Sequence, residues 1–403
     1  MALREFDRVF DTKLRSWTRL RSPYYSHFSP EEIEILRRAE SRMDARDRRI
    51  AFLCFENAFA ELGGLAAVTR HLPTAIRKAG ENILFLTPLY ERNAHVAHAL
   101  RSGRLRPVAG GTGTLGAEGH ELPFACYRDT NGTVPSYYIG VEGRFTAERN
   151  PYDYADQHDL LEDSLAFCSV VPQVLAALSC DRNIVFHAHD WETAPIAIAV
   201  KRAIVAGALK SAVCLLTLHN SFDAGLRLPE LKRYLGRAFE GQTVLQVCIP
   251  FLDGPLSTVS TPFAHELLHD PIQKGFFATH LRETFSRNPP VGIENGRFRN
   301  GRFAFSGQAI DEARKGTPAK LLKEKADARR RLVEIVKNQS RPECLGSLDF
   351  STGSRDAPIF FMTGRFDNMQ KGFDIVFRAF ARLKRGSAKL FFSPSMLPGQ
   401  APE

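Results

Sequence analysis

The sequence is poor in cysteine, methionine and tryptophan, with 7, 5 and 2 of them in 403 residues. No two cysteines form a Cys-x-x-Cys pair, which argues against a zinc ribbon or a disulfide framework and favours a reducing compartment. No stretch approaches the roughly 18 consecutive apolar residues that a membrane-spanning helix needs. The N-terminus has no apolar signal core. The sequence therefore predicts a protein of the cytoplasm, with an organelle as the alternative, and no membrane partner.

Positive charge exceeds negative charge, with 54 Lys and Arg against 45 Asp and Glu and a net charge of +9. The cations are spread along the chain rather than clustered, so the excess indicates anionic ligands only weakly and predicts no nucleic-acid partner. Apolar residues make up 44% of the chain, which is enough to bury a large core and excludes disorder throughout. At roughly 100–200 residues per domain, the length predicts two or three domains.

Short apolar runs alternate with amphipathic stretches along the chain. Residues 50–55 are apolar without alternation, as in a strand buried on both faces, and a Gly-Gly pair and an amphipathic helix lead to a second such run at 82–88. Further strands are predicted at 184–189, 213–219 and 256–260. This alternation predicts an α/β fold with a doubly wound parallel sheet.

Composition divides the chain into three segments. Residues 1–48 are highly charged, and we predict a helical N-terminal extension because Pro30 and two acids suit a first helical turn. Residues 49–296 carry the strand and helix alternation of a first domain. Residues 297–403 begin with a linker rich in Arg, Gly and Lys, and the alternation restarts near residue 357. One strand, helix and strand cannot bury a core, so the second domain is predicted to be truncated.

Polar residues that follow strand ends are candidate ligand contacts, because open parallel sheets bind ligands outside the carboxyl ends of their strands. The first candidates are Glu56, Glu61, Gly63 and Gly64, which follow the first predicted strand. Paired glycines at the start of a helix let free N–H groups approach a phosphate. A plain tight turn is the alternative interpretation of this pair.

Two further candidate clusters follow neighbouring strands. The sequence His-Ala-His-Asp-Trp at 187–191 places two imidazoles, a carboxylate and an indole at one strand end. A His-x-His pair can bind a metal, but the sequence offers no convincing third and fourth ligand. Hydrogen bonding to a sugar, with Trp191 as an apolar wall, suits the cluster better. His219 and Asn220 follow the next strand, where a simple loop cap is the alternative.

A fourth cluster lies in the second domain. Arg365 and Lys371 bracket a loop between a strand and a helix. Both cations can therefore converge on a diphosphate beside the N-terminus of the helix. The alternative is a pair of solvated surface cations.

Taken together and in this order, the clusters resemble motifs of the glycogen and starch synthases, which are retaining glucosyltransferases with two facing Rossmann domains (the GT-B architecture). The resemblance covers about residues 50–300 and 357–392. The motifs that carry it are Glu61-Leu62-Gly63-Gly64-Leu65 for the family's Lys-x-Gly-Gly-Leu, the intact His-Ala-His-Asp-Trp at 187–191, Thr-x-His-Asn at 217–220, Gly-x-x-Asn-Gly at 292–296 and the Arg-…-Gln-Lys-Gly-x-Asp loop at 365–374.

The resemblance implies a GT-B type fold, in which a Rossmann-like first domain is followed by the start of a second one. It implies transfer of glucose from ADP-glucose or UDP-glucose to the non-reducing end of an α-1,4-glucan such as glycogen or starch, with retention of configuration and without a metal or cofactor. The family's front-side attack needs no protein nucleophile, and none is proposed. His189 and Asp190 are the implied catalytic residues of the glucose pocket. The implied donor-binding residues are Glu61, Gly63, Gly64, His219, Asn220, Arg365 and Lys371.

Three departures from the family stand out. Glu61 replaces a lysine that contacts the donor phosphate in the family, so a nearby cation such as Arg92 compensates, or Glu61 has another task, or donor binding is weak. Arg297 and Phe298 replace the Ile-Asp that follows the junction Asn-Gly. The sequence ends before the family's Glu-x₇-Glu segment, so half of the donor site is expected to be missing.

Two other classes of function stay open. One is a non-catalytic, glucan-binding or regulatory relative of the synthases, for which Glu61 and the short second domain are the evidence. The other is a metal-dependent hydrolase built on His187 and His189.

Overall fold

A computed structural model describes residues 27–117, 120–154, 156–226, 228–236, 241–295, 305–338, 357–365 and 371–395. The chain divides into two compact units, Met1–Phe298 and Arg299–Glu403.

The described part of the first unit contains a nine-stranded sheet. Its strands are β1 (Arg49–Leu53), β2 (Asn82–Pro88), β3 (Leu105–Ala117), β4 (His120–Asp129), β5 (Ser136–Val141), β6 (Ile184–His189), β7 (Ala212–Leu218), β8 (Ser257–Thr258) and β9 (Val291–Gly292). Their order across the sheet is β3-β4-β5-β2-β1-β6-β7-β8-β9. All pairs from β5 to β9 are parallel, whereas β4 pairs antiparallel with both β3 and β5.

Helices cover both faces of this sheet. They are α1 (Pro30–Ser41), α2 (Gly64–Lys78), α3 (Ala94–Arg101), α4 (Gln157–Ala177), α5 (Ile196–Val205), α6 (Leu228–Leu235), α7 (Val244–Cys248), α8 (Thr261–His269) and α9 (Arg282–Arg287). The residues of β1 alternate between two cores: Ala51 and Leu53 belong to the larger one, and Phe52 packs with Leu65 and Val68 of α2 in a smaller one. A strand buried on both faces needs an uninterrupted apolar run, which is the pattern seen here.

The sheet reverses its winding direction between β1 and β6. From β1 the chain moves outward to β2, and from β6 it moves the other way through β7 to β8. This confirms the predicted doubly wound sheet, with an additional antiparallel edge, β3 and β4, that was not predicted. In such sheets the crevice outside the carboxyl ends of the strands at the reversal is the usual place for a ligand.

The charged segment before β1 contributes to the same core. Ser29 and Glu32 form a capping box at the start of α1, as expected for a helix that begins with a proline. Leu36 and Ala39 of this helix are buried in the larger core. Residues 30–41 are therefore packed into the first unit.

In the part of the chain that the structure describes, one helix is long and apolar enough to span a membrane by length and composition. This is α4, and 78% of its apolar window is buried inside the protein. Its buried residues include Glu162, Asp163 and Ser164, and Asp163 accepts a hydrogen bond from the Phe145 amide at 2.8 Å. The helix contributes many buried residues to the larger core.

The second unit repeats the strand and helix alternation on a smaller scale. It contains α10 (Gly307–Arg314), α11 (Ala319–Lys337), β10 (Ile359–Arg365), α12 (Phe373–Ala381) and β11 (Lys389–Ser395). β10 and β11 form a two-stranded parallel sheet. α11 is highly charged and has no buried residue, as expected for a helix on the surface.

Candidate functional site

The sequence candidates of the first unit meet at the carboxyl ends of β6 and β7. His189 ends β6 and pairs in register with Thr217 of β7. Asp190 follows β6 directly, and His219 and Asn220 follow β7. Neighbouring parallel strands therefore bring the two predicted clusters side by side, next to the reversal of the sheet.

Hydrogen bonds and ring contacts hold the histidines in place. His189 Nδ1 lies 2.9 Å from His219 Nε2, and His187 Nε2 lies 2.8 Å from Thr217 Oγ1. Phe52 stacks on His189 with 4.1 Å between the ring centroids. His189 Nε2 is buried and has no hydrogen-bond partner among the described residues. One imidazole nitrogen at this sheet edge therefore keeps its hydrogen-bonding capacity.

The three imidazoles are neutral near pH 7. Burial lowers the pKa of His187 to about 4, and burial together with the charge of His187 lowers the pKa of His219 to about 4. Burial also lowers the pKa of His189 well below its usual range. A neutral imidazole donates one hydrogen bond and accepts one, which suits contact with an uncharged hydroxyl group.

Asp190 ties the end of β6 to the end of β7. Its carboxylate accepts hydrogen bonds from the His219 amide at 2.6 Å and from Asn220 Nδ2 at 3.2 Å. Its backbone has a φ of 61° and a ψ of 177°, a combination that residues other than glycine rarely adopt. Backbone strain of this kind persists where the surrounding structure enforces it, often at functional sites.

The carboxyl groups of Glu56 and Glu192 lie close enough to Asp190 to affect its ionisation or to be affected by it. Burial raises the pKa of the Asp190 carboxyl, and the charge of Glu56 adds to the rise. Burial also raises the pKa of Glu192 well above its usual range, with the charge of Asp190 as the next cause. Each carboxylate charge thus disfavours ionisation of its neighbours, and a further negative charge among them is unfavourable.

The glycine turn before α2 is capped by a carboxylate of the chain itself. Glu56 accepts hydrogen bonds from the amides of Leu62 at 3.1 Å and Gly63 at 3.3 Å, and its other oxygen accepts from the Tyr152 hydroxyl at 3.3 Å. The Gly63 amide that was predicted for the donor phosphate is therefore already bonded in this structure. Gly64 begins α2 directly after it.

Glu61 forms an ion pair with Arg70 of α2, with 2.5 Å between the Glu61 carboxylate and Arg70 Nη2. The compensating cation is thus Arg70 rather than the suggested Arg92. The pair is partly exposed, so its contribution to stability is small. Its consequence for the site is that the negative charge of Glu61 is largely neutralised.

The two cations predicted for the diphosphate belong to the second unit. Arg365 ends β10, and Lys371 is an exposed residue that precedes α12. The intervening loop, residues 366–370, lies outside the described residues. Their role at the donor stays a prediction.

Sequence reasoning placed Glu56 in the first candidate cluster but did not assign Arg70 and Thr193 to the site. Thr193 Oγ1 accepts from the His189 amide at 2.7 Å and donates to the His189 carbonyl at 2.8 Å, which fixes the turn after β6. A threonine four residues after a strand end is too common to signal this bond. The described residues contain no group of three or more His, Cys, Asp or Glu side chains that could hold a metal ion.

The site lies in a chain segment with recognisable relatives. The family model of the starch synthase catalytic domain matches residues 49–275, which is more than half of the chain. The chain belongs to this family. The predicted resemblance is therefore confirmed, and the matched segment contains all candidate site residues of the first unit.

Curated relatives agree with this assignment. The chain is 28% identical to the glycogen synthase of Petrotoga mobilis over 193 residues and 29% identical to that of Geotalea uraniireducens over 196 residues. Each match covers 47% of this chain and 38% of the relative. Glycogen synthase 2 of Geobacter sulfurreducens is 34% identical over 149 residues, or 36% of this chain and 28% of that protein. The chain thus spans well under half the length of these synthases.

A solved structure supports the fold of this starch synthase family member. The catalytic domain of starch synthase IV from Arabidopsis thaliana, solved with ADP and acarbose bound, superposes with a TM-score of 0.66 at 18% identity. The superposition covers 87% of this chain and 68% of that structure. The GT-B type α/β fold predicted from the sequence is confirmed.

Proposed function

We propose that the chain is a glucosyltransferase of the glycogen and starch synthase type. The reaction moves glucose from ADP-glucose or UDP-glucose to the non-reducing end of an α-1,4-glucan, with retention of configuration. The observation that carries the proposal is the bonded group of His189, Asp190, His219 and Asn220 at the sheet reversal of a chain in the starch synthase family.

Each part of this group suits a sugar ligand. His189 is neutral, and its free Nε2 can bond a sugar hydroxyl. Asp190 positions the His219-Asn220 turn through two hydrogen bonds rather than acting as a free base. The binding of ADP and acarbose by the related starch synthase IV domain supports a nucleotide and a saccharide as the ligands here.

The leaving diphosphate requires positive charge. Arg365 and Lys371 are our candidates. Cations beside the leaving diphosphate stabilise the negative charge that develops as the bond between glucose and the diphosphate breaks. The Gly64 amide at the start of α2 is a further candidate, since the N-terminus of a helix favours an anion. The pairing of Glu61 with Arg70 removes much of the repulsion that an unpaired acid would exert on the phosphate.

Transfer of labelled glucose to glycogen tests the proposal. We expect the chain to transfer label from ADP-glucose or UDP-glucose, and His189→Ala to lower the rate about 100-fold because a hydrogen bond that orients the sugar is lost. The matched control is His269→Ala, an exposed histidine at the end of α8, which should leave the rate unchanged. Glycogen that is bound without any transfer would contradict the enzyme proposal and support a glucan-binding relative.

Glu61→Lys restores the family's residue and tests whether Glu61 lies beside the donor phosphate. We expect ADP to bind about fivefold more tightly, since two unit charges 4 Å apart interact by about 1 kcal/mol in water. Calorimetric titration with ADP measures the effect. Glu34→Lys is the control, because it reverses the acid of an exposed ion pair on α1. Unchanged or weaker ADP binding in Glu61→Lys would show that Glu61 is remote from the phosphate.

A further inference from the structure

An open groove of about 710 Å³ lies on the first unit beside α3 and the start of β3. Its volume falls within the range of small-molecule sites, about 300–1,000 Å³. Among the described residues that line it, none is acidic. The polar groups on its walls are those of His95, His98, Ser102, Arg104, Arg106, Thr130 and Asn131.

Part of the positive charge in this groove has no acidic partner in the described part of the chain. Arg104 is paired with Asp129 at 2.8 Å. Among the described residues, Arg106 bonds only the Gly103 carbonyl, through Nε at 3.0 Å, which leaves its two terminal nitrogens for a ligand. His95 and His98 are exposed and lie one helical turn apart on α3, facing the same groove.

The strand pairing beside the groove places a further cation next to Arg106. Arg106 of β3 lies directly opposite Arg128 of β4 in the antiparallel register. Like charges at directly opposite positions destabilise a sheet. An anion bound to Arg106 relieves this repulsion, so the pair favours an anionic ligand at this end of the groove.

The groove does not suit a neutral glucan. Saccharide sites use a free aromatic face, and Phe59 is the aromatic residue among the described lining residues. The Arg104 guanidinium lies 4.6 Å from the centroid of the Phe59 ring, and the centroid of the Tyr138 ring lies 5.3 Å from it. The Phe59 ring is therefore already in contact with other side chains. The remaining wall is rich in hydrogen-bond donors and cations, which match the oxygens of a phosphate.

We propose that this groove binds a small phosphate monoester at a site separate from the crevice beside β6 and β7. The terminal nitrogens of Arg106 bind two phosphate oxygens in the bidentate geometry typical of arginine. His98 and His95 supply further donors to the same group, and Ser102 and Asn131 are placed for the hydroxyl groups of an attached sugar. The proposal concerns binding alone and does not depend on glucosyl transfer.

Calorimetric titration with inorganic phosphate, a hexose monophosphate and the free hexose tests this site. We expect saturable binding of the hexose monophosphate, weaker binding of inorganic phosphate and no binding of the hexose. Replacing both Arg106 and His98 by glutamine should weaken hexose monophosphate binding about tenfold or more, because two charge-assisted contacts are lost. Both side chains are exposed, so the double variant should keep its melting temperature.

The control is Arg101→Gln, an exposed arginine of α3 that does not line the groove. It should change hexose monophosphate binding by less than about twofold, since a remote surface charge is screened by salt. The absence of saturable phosphate binding would overturn the proposal. Two other results would also overturn it. Equal losses of binding in Arg101→Gln and in the double variant would indicate a diffuse electrostatic field. Binding that both variants leave intact would place the phosphate elsewhere.

Discussion

Asp190→Ala is expected to lower the rate of glucosyl transfer about 100-fold, because small displacements of positioning groups are costly in catalysis. The Asp190 carboxylate accepts bonds from the His219 amide and from Asn220 Nδ2. Without it, both donors are left unpaired in a buried site, and the turn that carries the His219 ring is released. We also expect a loss of about 1–3 kcal/mol in the free energy of unfolding, the usual cost of a buried unpaired polar group.

Two further variants separate the effect of losing the Asp190 hydrogen bonds from the effect of removing a buried carboxyl group. Asp190→Asn keeps one oxygen for the His219 amide but presents an NH₂ group to Asn220, so its transfer rate should lie between those of wild type and Asp190→Ala. A double-mutant cycle of Asp190→Ala with Asn220→Ala should give strongly non-additive losses, because both variants remove the same bond. Full additivity, or a wild-type transfer rate in Asp190→Ala, would contradict the positioning role.

The strands that carry the site were predictable because both faces of the sheet are buried. β1, β2, β6 and β7 are largely apolar without a strict alternation, and a run of that kind leaves few alternatives to a central parallel strand. The side chains at their ends were then predictable by position, since parallel strands present their carboxyl ends at one edge. The bond between His189 and His219 follows directly from that geometry.

The antiparallel edge of the sheet was not predictable from local pattern. β3 contains several glycines, which weaken the alternation expected of a half-buried strand. One of them, Gly113, packs against the ring of Phe124, where a Cβ atom would come within 2.6 Å. The glycine is thus needed by a partner strand that local sequence does not reveal.

The partner of Glu61 could not be predicted either. Arg70 is nine residues away, on the far side of the glycine turn, and the direction of α2 decides whether the two side chains meet. Glu56 bonds the Leu62 and Gly63 amides, which fixes that turn. Local propensity does not encode a bond between a strand end and a helix start, so a more distant cation such as Arg92 was equally compatible with the sequence.

A buried ion pair beneath α1 gives the largest expected effect on stability. Lys201 of α5 forms an ion pair with Asp253, and both side chains are less than a tenth exposed. Asp253 also accepts a hydrogen bond from the Cys214 amide of β7 at 2.7 Å. Burial alone lowers the pKa of Lys201, but Asp253, with smaller effects of Cys214 and Glu40, outweighs burial and raises the pKa overall. Lys201 is therefore charged, and Asp253 is the partner that forms an ion pair with it.

Asp253→Ala should lower the free energy of unfolding by about 3–5 kcal/mol, because it leaves the Lys201 charge buried without a partner. Adding Lys201→Met should recover part of that loss, since a buried pair replaced by apolar residues is often nearly neutral. Asp181→Ala is the matched control: it breaks the more exposed pair with Lys210 and should cost less than about 1 kcal/mol. Urea denaturation followed by tryptophan fluorescence measures all three, because Trp17 and Trp191 both precede residue 299. An Asp253→Ala variant as stable as Asp181→Ala, or no recovery in the double variant, would show that the pair does not carry a buried charge.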